Sequence, residues 1–221
     1  MTLSPEAART FYDRFGTRQD WQHWYEDVAF ADLITHGAFE VAESVFELGC
    51  GTGRLAERLL ATHLPTTARY VAVDLSSTMV ALARSRLARF GSRVEVRQSE
   101  GSPAVAEADR SFDRFISTYV FDLLSEEDMQ RALGEARRLL VPSGRIGLVS
   151  LTHGATVPAR VIERIWSAVF AWRPTLVGGC RPVDLGSLLA PNAWCIQHRR
   201  VVTRFGISSE VVLAIPVDEP S

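Results

Sequence analysis

The chain has 221 residues, a formal net charge of −2 and 47% hydrophobic residues, so it is long enough for one domain with a sizeable core. A protein that binds nucleic acid as its main partner needs a basic surplus, which this composition lacks. No apolar run approaches the roughly 18 residues of a membrane span, and the N-terminus lacks the basic-then-apolar order of a secretory signal. We therefore expect a cytoplasmic location.

The residue types that carry metal and covalent chemistry are sparse. All 24 basic residues are arginine, which excludes Schiff-base chemistry by lysine. The three cysteines form no C-x-x-C pair, so we expect thiols rather than a disulfide framework or a zinc site: Cys50, Cys180 and Cys195. The five histidines show no ligand spacing, and we predict no metal site: His23, His36, His63, His153 and His198.

Two helices are predicted before the first strand, within an N-terminal cover of residues 1–43. The first begins at Ser4-Pro5-Glu6, which supplies a capping hydroxyl and a proline at the first helical position, and it ends at Gly16. The second runs from about Trp21 to Phe39. Their aromatic residues either pack on the core or cover a ligand: Phe11, Tyr12, Phe15, Trp21, Trp24, Tyr25, Phe30 and Phe39.

From residue 44 to residue 151, β-rich runs alternate with helical runs, which is typical of a parallel sheet covered on both faces. A Pro142-Ser143-Gly144 sequence is expected to separate the last helix of this core from its strand. The predicted strands lie at about 44–48, 69–74, 92–97, 112–118 and 145–151, and the helices near 53–63, 77–90 and 125–140.

The rest of the chain contains a long connection and a hairpin. Residues 152–192 include a helical run with Trp166, Phe170 and Trp172, and we expect them to form a segment on the substrate side. Two β-like runs, at about 194–204 and 209–215, are joined near Gly206 and predict an antiparallel hairpin within residues 193–217. The whole chain, 1–221, is predicted to form one domain.

The most specific motif is a glycine-rich turn, Glu47-Leu48-Gly49-Cys50-Gly51-Thr52-Gly53, between the first strand and the helix that follows it. Its glycines let backbone N–H groups approach a ligand, and the helix presents unpaired N-terminal donors. Asp74 ends the next strand, where a carboxylate can accept hydrogen bonds from the hydroxyls of an adenosine ribose. The pattern predicts a nucleotide site.

The glycine spacing argues against a dinucleotide. The dinucleotide fingerprint is G-x-G-x-x-G, and Arg54 stands here at the position of its last glycine. Glu47 would face a pyrophosphate unfavourably but suits a cationic ligand. The motif therefore disfavours a nicotinamide-dependent oxidoreductase, which we keep as an alternative function.

Glu47 to Gly53, together with Asp74, resembles the first two motifs of the class I S-adenosylmethionine-dependent methyltransferases. The resemblance covers the chain from about residue 44 to its end. It implies an α/β fold with a doubly wound, Rossmann-like, seven-stranded sheet of order 3-2-1-4-5-7-6, whose last-numbered strand is antiparallel. It also implies S-adenosylmethionine as the cofactor and methyl transfer to an O or N nucleophile of a small molecule.

The resemblance assigns roles to individual residues. Glu47 and the glycines of the turn would hold the methionine part of the cofactor, and Asp74 would hold the ribose. Glu100, in Ser99-Glu100-Gly101, stands where the family often has the acid that accepts a hydrogen bond from the adenine amino group. The predicted cofactor contacts are Glu47, Gly49, Cys50, Gly51, Gly53, Asp74, Leu75, Met79, Ser99, Glu100, Gly101 and Ser117.

The acceptor is less defined by the sequence. Ser111 to Val120 resembles the fourth motif of the family but lacks its Asn/Asp-Pro-Pro-Tyr/Phe sequence, which disfavours methylation of DNA adenine or protein glutamine. Asp122 and His153 are the candidate proton acceptors, although alignment alone can lower the barrier. A protein that binds the cofactor without transferring its methyl group is a second alternative. Candidate substrate contacts are Tyr12, Tyr25, Tyr119, Arg173 and Arg181.

Overall fold

The computed structural model describes residues 5–15, 23–101, 105–154, 160 and 180–217. Within them the helices are α1 (Pro5–Phe15), α2 (His23–His36), α3 (Arg54–Thr62), α4 (Ser77–Leu87), α5 (Glu126–Leu139) and the single turn α6 (Leu185–Leu188). Short 3-10 helices span Phe39–Val41 and Ala88–Arg93. The strands are β1 (Ser44–Leu48), β2 (Arg69–Asp74), β3 (Val94–Gln98), β4 (Phe112–Thr118), β5 (Leu140–Leu151), β6 (Trp194–Arg204) and β7 (Ile207–Pro216).

The seven strands form one sheet in the order β3-β2-β1-β4-β5-β7-β6. Neighbours from β3 to β5 are parallel, and β7 is antiparallel to both β5 and β6. The predicted order and the predicted hairpin are therefore confirmed. The strand order reverses between β1 and β4, and in such sheets the carboxyl ends of the strands at the reversal form the ligand crevice.

Both faces of the sheet are buried, as expected when parallel strands are covered by helices on each side. Successive residues of β1 alternate between the two faces: Val45 packs with residues of α2, α3 and α4, whereas Phe46 packs with residues of α5. Helix α2 also packs against β5, β6 and β7, and α1 packs against α4. The two N-terminal helices thus lie on the sheet and on its first connections.

Two helices of the core, α4 and α5, begin at serine residues whose hydroxyls act as caps. The Ser76 hydroxyl accepts a hydrogen bond from the Met79 N–H at the start of α4, and Ser125 accepts one from the Asp128 N–H at the start of α5. These bonds satisfy backbone donors that a helix N-terminus leaves unpaired. The first of them fixes the turn that follows Asp74.

The structure corrects the predicted boundary before β5. That strand begins at Leu140, directly after α5, so Pro142-Ser143-Gly144 lies inside the strand instead of separating it from the helix. The register between β4 and β5 shifts between Phe112 and Arg114, where extra residues of β5 bulge out of the ladder. A bulge accommodates a proline, which has no N–H to donate.

Smaller differences occur at other ends. Helix α2 ends at His36, before the predicted Phe39, and β3 begins at Val94 because the 3-10 helix up to Arg93 takes the first residues of the predicted run. Ser4, Gly16, Trp21, Trp166, Phe170 and Trp172 lie outside the described residues. None of the described helices is both long enough and apolar enough to cross a bilayer. The three cysteines form no disulfide bond.

Candidate active site

Glu47 is a buried acid at the end of β1, where that strand meets the glycine turn. Only 1% of its surface is exposed, and its Oε2 accepts a hydrogen bond from the Tyr70 hydroxyl at 2.9 Å. Burial raises the pKa of Glu47 to about 8; the Tyr70 hydrogen bond opposes the rise and the charge of Asp74 adds to it. A bound cation would favour the ionised form, which burial alone disfavours.

The glycine turn has a backbone that other residues would strain. Gly49, Gly51 and Gly53 have φ angles of 74°, 51° and 79°. A Cβ on Gly49 would lie 2.1 Å from a methyl carbon of Val120, so the turn packs directly on the loop after β4. This close approach requires glycine.

The turn is held against the end of β2. The N–H groups of Gly49 and Cys50 both donate to the Val73 carbonyl oxygen, at 2.8 and 3.0 Å. The side chain of Asp74 continues the contact, because its Oδ2 accepts from the Gly51 N–H at 2.8 Å. The end of β2 and the side chain of Asp74 therefore fix the position of the turn.

Asp74 is almost enclosed by its own loop. Its Oδ1 accepts from the Ser76 N–H at 2.9 Å, while Oδ2 accepts from Gly51. Burial raises its pKa, although the backbone hydrogen bonds from Ser76, Gly51 and Leu75 act against the rise. The two carboxylate oxygens offer about four acceptor positions and these backbone groups fill three, so Asp74 can still accept a hydrogen bond from a ligand.

A cleft beside the turn combines acids with one arginine. Arg54 donates to Glu26 at 2.8 Å and to Asp27 at 2.5 Å, and its guanidinium lies 5.0 Å above the centre of the Phe30 ring. The ion pair connects α2 to the start of α3. The cleft is lined by Glu26, Phe30, Glu47, Gly49, Cys50, Gly51, Thr52, Arg54, Leu55, Thr118 and Tyr119.

The other predicted cofactor residues divide into three places. Cys50 is buried and lines the cleft. Ser117 is fully buried and donates its hydroxyl to the Leu48 carbonyl at 2.9 Å, which ties β4 to β1. Met79 is buried at the start of α4, and Leu75 is half-buried beside it.

The loop after β3 is joined to the same edge of the sheet. The Ser99 N–H donates to the Asp74 carbonyl oxygen at 2.8 Å, and the Ser99 hydroxyl accepts from the Gly101 N–H at 3.1 Å. Glu100 and Gly101 are exposed at this point. Glu100 therefore stands next to Asp74 in space, although not in the enclosed part of the cleft.

Helix α1 lies over the end of β2. Asp13 accepts hydrogen bonds from the Ser76 hydroxyl at 2.5 Å and from the Thr78 N–H at 3.2 Å. These bonds lower its pKa more than its slight burial raises it. The neighbouring Tyr12 has a pKa well above its ordinary value because of burial and of the nearby groups Cys180, Asp122 and Asp74. One turn of α1 thus reaches both ends of the site.

Asp122 is a fully buried carboxyl group in the turn after β4. Among the residues that the structure describes, neither of its carboxylate oxygens has a hydrogen-bond partner, and the nearby Ser150 hydroxyl has none either. Burial raises the pKa of Asp122 to about 6, while its own N–H, Cys180, Ser150 and Arg181 act in the opposite direction.

Most of the predicted substrate contacts gather around Asp122. Tyr25 packs edge to face on Tyr119, with 5.7 Å between ring centres, and the pKa of Tyr25 is raised by burial and by acids that include Asp122. Arg181 donates its backbone N–H to the Asp122 carbonyl and its guanidinium to the Leu124 carbonyl. The remaining candidates are placed differently: His153 is exposed and lies near Asp184, and Arg173 falls outside the described residues.

Sequence reasoning missed a histidine and acid cluster that joins α2 to β6. His198 lies 2.7 Å from Asp32, and the rings of His36 and His198 stack 3.8 Å apart at an angle of 11°. These three could in principle bind a metal ion, since their ligand atoms lie within 4.8 Å of one another. However, one ion cannot lie in the planes of two stacked rings, and Arg200 already donates to Asp32 at 3.0 Å. We interpret the cluster as a packing contact between α2 and β6.

Comparison with known proteins identifies the same motifs. The profile of a family described as a methyltransferase domain matches residues 45–144. A 2-phytyl-1,4-naphtoquinone methyltransferase of Thermosynechococcus vestitus is 34% identical over 68% of this chain and 64% of its own length. The ubiquinone/menaquinone biosynthesis C-methyltransferase UbiE of Methylobacterium nodulans is 31% identical over 56% of this chain and 47% of its own length. The chain thus spans about half to two thirds of the length of these relatives.

Solved structures agree with the fold. An S-adenosylmethionine-dependent methyltransferase of Methanosarcina mazei aligns with a TM-score of 0.66 and 18% identity, over 84% of this chain and 98% of its own. The matched segment 45–144 contains the glycine turn, Asp74 and the β4 region, which are the parts that form the cleft. Residues 45–144 therefore form a methyltransferase domain of the class I, S-adenosylmethionine-dependent family, whose cofactor is S-adenosylmethionine.

Proposed function

We propose that this chain transfers the methyl group of S-adenosylmethionine to an oxygen or nitrogen nucleophile of a small molecule, leaving S-adenosylhomocysteine. The observation that carries the proposal is Glu47, a buried carboxyl group that lines the cleft beside a turn that other residues would strain. A buried acid with a raised pKa is suited to a ligand that brings its own positive charge. The bound cofactor supplies an already activated methyl group.

The residues present fit such a cofactor. Glu47 and the backbone of the glycine turn would hold its methionine part, and Asp74 would accept a hydrogen bond from its ribose with the lone pair that its loop leaves unused. Glu100 would face the adenine, and its neighbour Ser99 is already bonded to the Asp74 backbone. Cys50, Leu75 and Met79 would contribute contacts around these groups.

The charges of the cleft also support a sulfonium ligand. Glu26 and Glu47 line it together with a single guanidinium, that of Arg54. S-adenosylmethionine carries one net positive charge through its sulfonium and ammonium groups, whereas S-adenosylhomocysteine carries none. Because Glu26 is paired with Arg54, the ionised form of Glu47 is the charge that favours binding of the donor over binding of the spent product.

A small-molecule acceptor is supported by the relatives. One is named for a naphthoquinone, and the other is named a C-methyltransferase of ubiquinone and menaquinone biosynthesis. These names make a carbon nucleophile the second candidate. The buried acid and tyrosines around Asp122 are compatible with either attacking atom, because each loses a proton during methylation.

Calorimetry tests the cofactor assignment. Wild-type protein should bind S-adenosylmethionine more tightly than NADH, and Asp74→Ala should weaken donor binding at least about tenfold through lost charge-assisted hydrogen bonds. Tighter binding of NADH would favour an oxidoreductase. An unchanged affinity of the Asp74 variant would remove Asp74 from the site.

Activity requires a second experiment. The protein is incubated with a methyl-labelled donor and a small-molecule cell extract, and the labelled product is identified by mass. We expect a labelled metabolite whose formation depends on the protein. If the donor binds but no metabolite is labelled, the chain is a cofactor-binding protein without transferase activity.

A further inference from the structure

The environment of Asp122 gives information about the acceptor, and this inference rests on the proposed transferase function. The carboxyl group is fully buried, and neither oxygen has a hydrogen-bond partner within the described part of the chain. The fully buried Ser150 hydroxyl and the Cys180 thiol are close enough to Asp122 to lower its pKa, but neither forms a hydrogen bond to its oxygens, and the Ser150 oxygen has no other partner among the described residues. Buried polar groups in native proteins are nearly always paired, so such a pair indicates a place where a ligand supplies the missing partners.

The groups around Asp122 define what can bind. Charged and titratable groups approach it from several elements: Tyr12 of α1, Tyr25 of α2, Tyr119 after β4, and Cys180 and Arg181 before α6. Three of these five are aromatic rings, which favour flat, apolar partners. The guanidinium of Arg181 donates to the Leu124 carbonyl, so the carboxylate has no direct ionic partner among the described residues.

A ligand for this place must donate hydrogen bonds at one end. An ionised carboxylate accepts hydrogen bonds and cannot donate them, so an acceptor with an exposed carbonyl or carboxylate would be repelled. An ammonium group would be attracted, but its nitrogen has no lone pair with which to attack a methyl group. A neutral hydroxyl meets both requirements.

We propose that Asp122 binds the methyl acceptor, and that this acceptor is a hydroxylated planar ring whose hydroxyl donates to Asp122 and loses its proton to it. The O–H bond of the acceptor breaks, its proton goes to the carboxylate, and its oxygen forms the new bond to the methyl carbon. The electron pair of the broken sulfur–methyl bond stays on the sulfur. One positive charge and one negative charge are thereby neutralised together.

The pKa of Asp122 agrees with a role as the proton acceptor. A pKa of about 6 leaves Asp122 ionised at neutral pH and close to the range in which a general base is most effective. We expect entry of a ring to displace α1, because Tyr12 is near enough to Asp122 for the carboxylate to contribute to its raised pKa. That helix is held at Asp13 by hydrogen bonds from the Ser76 hydroxyl and the Thr78 N–H at the start of α4.

Binding of two matched ligands to the full chain tests the inference without turnover. The probes are 1-naphthol, which donates a hydrogen bond, and 1-methoxynaphthalene, which has the same ring system but no donor. Each is titrated in the presence of S-adenosylhomocysteine, which fills the cofactor site. Wild-type protein should bind the naphthol at least about tenfold more tightly, the effect of one hydrogen bond to a charged group.

The variants are Asp122→Ala, which removes both acceptor oxygens, and Asp122→Asn, which keeps the shape of the side chain. The preference for the naphthol should fall to within about twofold in the alanine variant and to an intermediate value in the asparagine variant. Asp109→Asn is the matched control, because the Asp109 side chain is 72% exposed and pairs with Arg138, which is not a residue of the site, so this variant should keep the wild-type preference.

Three results would overturn the inference. The first is equal affinity of the wild-type protein for 1-naphthol and 1-methoxynaphthalene, and the second is a preference for 1-naphthol that Asp122→Ala leaves unchanged. Either result would show that the carboxylate does not bind the hydroxyl. A clear loss of thermal stability in Asp122→Asn would show that the carboxylate already has partners inside the protein. Donor binding is measured on the same samples: its absence in the wild type would contradict the proposed function itself, whereas intact donor binding with no naphthol preference contradicts only the acceptor site.

Discussion

Tyr70 donates its hydroxyl to Glu47 at 2.9 Å, and both side chains are shielded from solvent by the strands that carry them. On the paired strands β1 and β2, Tyr70 is the register partner of Val45 and Glu47 that of Ala72, so Tyr70 and Glu47 are offset by two residues. One hydrogen bond does not compensate for the lost hydration of a carboxylate, so burial dominates and the pKa of Glu47 rises to about 8. The acid that lines the cofactor cleft is therefore protonated at neutral pH until a cation arrives.

Donor binding should depend on pH. Below the pKa of about 8, Glu47 must release a proton before it can pair with the cationic donor, so affinity should increase by up to about tenfold per pH unit between pH 6 and pH 8. Calorimetry in buffers of different ionisation enthalpy measures the released proton directly. Glu47→Gln should bind weakly with little dependence on pH. A wild-type affinity that is flat over this range would contradict the assignment of Glu47.

Stability of the ligand-free protein should change in the opposite sense. A carboxyl group whose pKa is raised by folding binds its proton more tightly in the folded state, so it stabilises the fold most at low pH. That contribution is lost as pH rises from about 4.5 towards 8. Denaturant unfolding at several pH values should show that Glu47→Gln becomes more stable relative to wild type over this interval. A constant difference between the two proteins would show that folding leaves the pKa unshifted.

Gly49 should be irreplaceable for a steric reason. A Cβ there would lie 2.1 Å from Val120, and φ is 74°, so Gly49→Ala should cost at least about 2 kcal/mol of unfolding free energy and should abolish donor binding. Gly134→Ala is the control, because Gly134 is an exposed helix residue with no atom within 4 Å of an added Cβ. It should stabilise the protein by about 0.5–1 kcal/mol. Equal effects in thermal unfolding would contradict the geometry of the turn.

The ion pair between Arg54 and Glu26 should stabilise the contact between α2 and α3. Glu26 is buried and Arg54 is 26% exposed in its side chain, so Arg54→Met leaves a buried carboxylate without its arginine and should cost about 2 kcal/mol. Glu26→Gln combined with Arg54→Met should recover part of the loss. A double-mutant cycle by denaturant unfolding measures the coupling. Strictly additive effects would show that the pair contributes nothing.

The sheet and the nucleotide turn were predictable because their signals are local. The glycines and Asp74 stand at the carboxyl ends of β1 and β2, two neighbouring parallel strands joined by α3, so one short stretch of chain brings them together. The predicted strand order follows from the same resemblance and is confirmed. The boundary at Pro142 was wrong because a bulge, which depends on the partner strand, let the proline remain in β5.

Contacts between distant segments could not be predicted. Arg54 was recognised only as a residue that replaces a glycine, since nothing in the sequence links it to Glu26, 28 residues away. Asp122 and Cys180 lie far apart in the chain, and their common approach to Tyr12 depends on how α1 packs. The stacking of His36 on His198 likewise exists only after β6 has joined the sheet.

Loosening α1 should speed exchange of the cofactor. Asp13→Ala removes the hydrogen bonds to Ser76 and Thr78 that hold the helix over the end of β2. Stopped-flow fluorescence should show faster dissociation of S-adenosylhomocysteine, by about three- to tenfold for one or two lost bonds. Thr10→Ala, on an exposed position of the same helix, is the control. An unchanged dissociation rate in Asp13→Ala would show that α1 does not limit exchange.

Tyr12 and Asp13 are consecutive residues, yet Tyr12 is near enough to Asp122 for that acid to contribute to its raised pKa, and Asp13 is bonded to the turn that follows Asp74. Because both residues lie on one rigid turn of α1, a movement of that turn away from Asp122 also moves it away from Asp74. We therefore expect one movement of α1 to allow both binding of the acceptor and release of S-adenosylhomocysteine. The two steps would then share a single conformational change in each catalytic cycle.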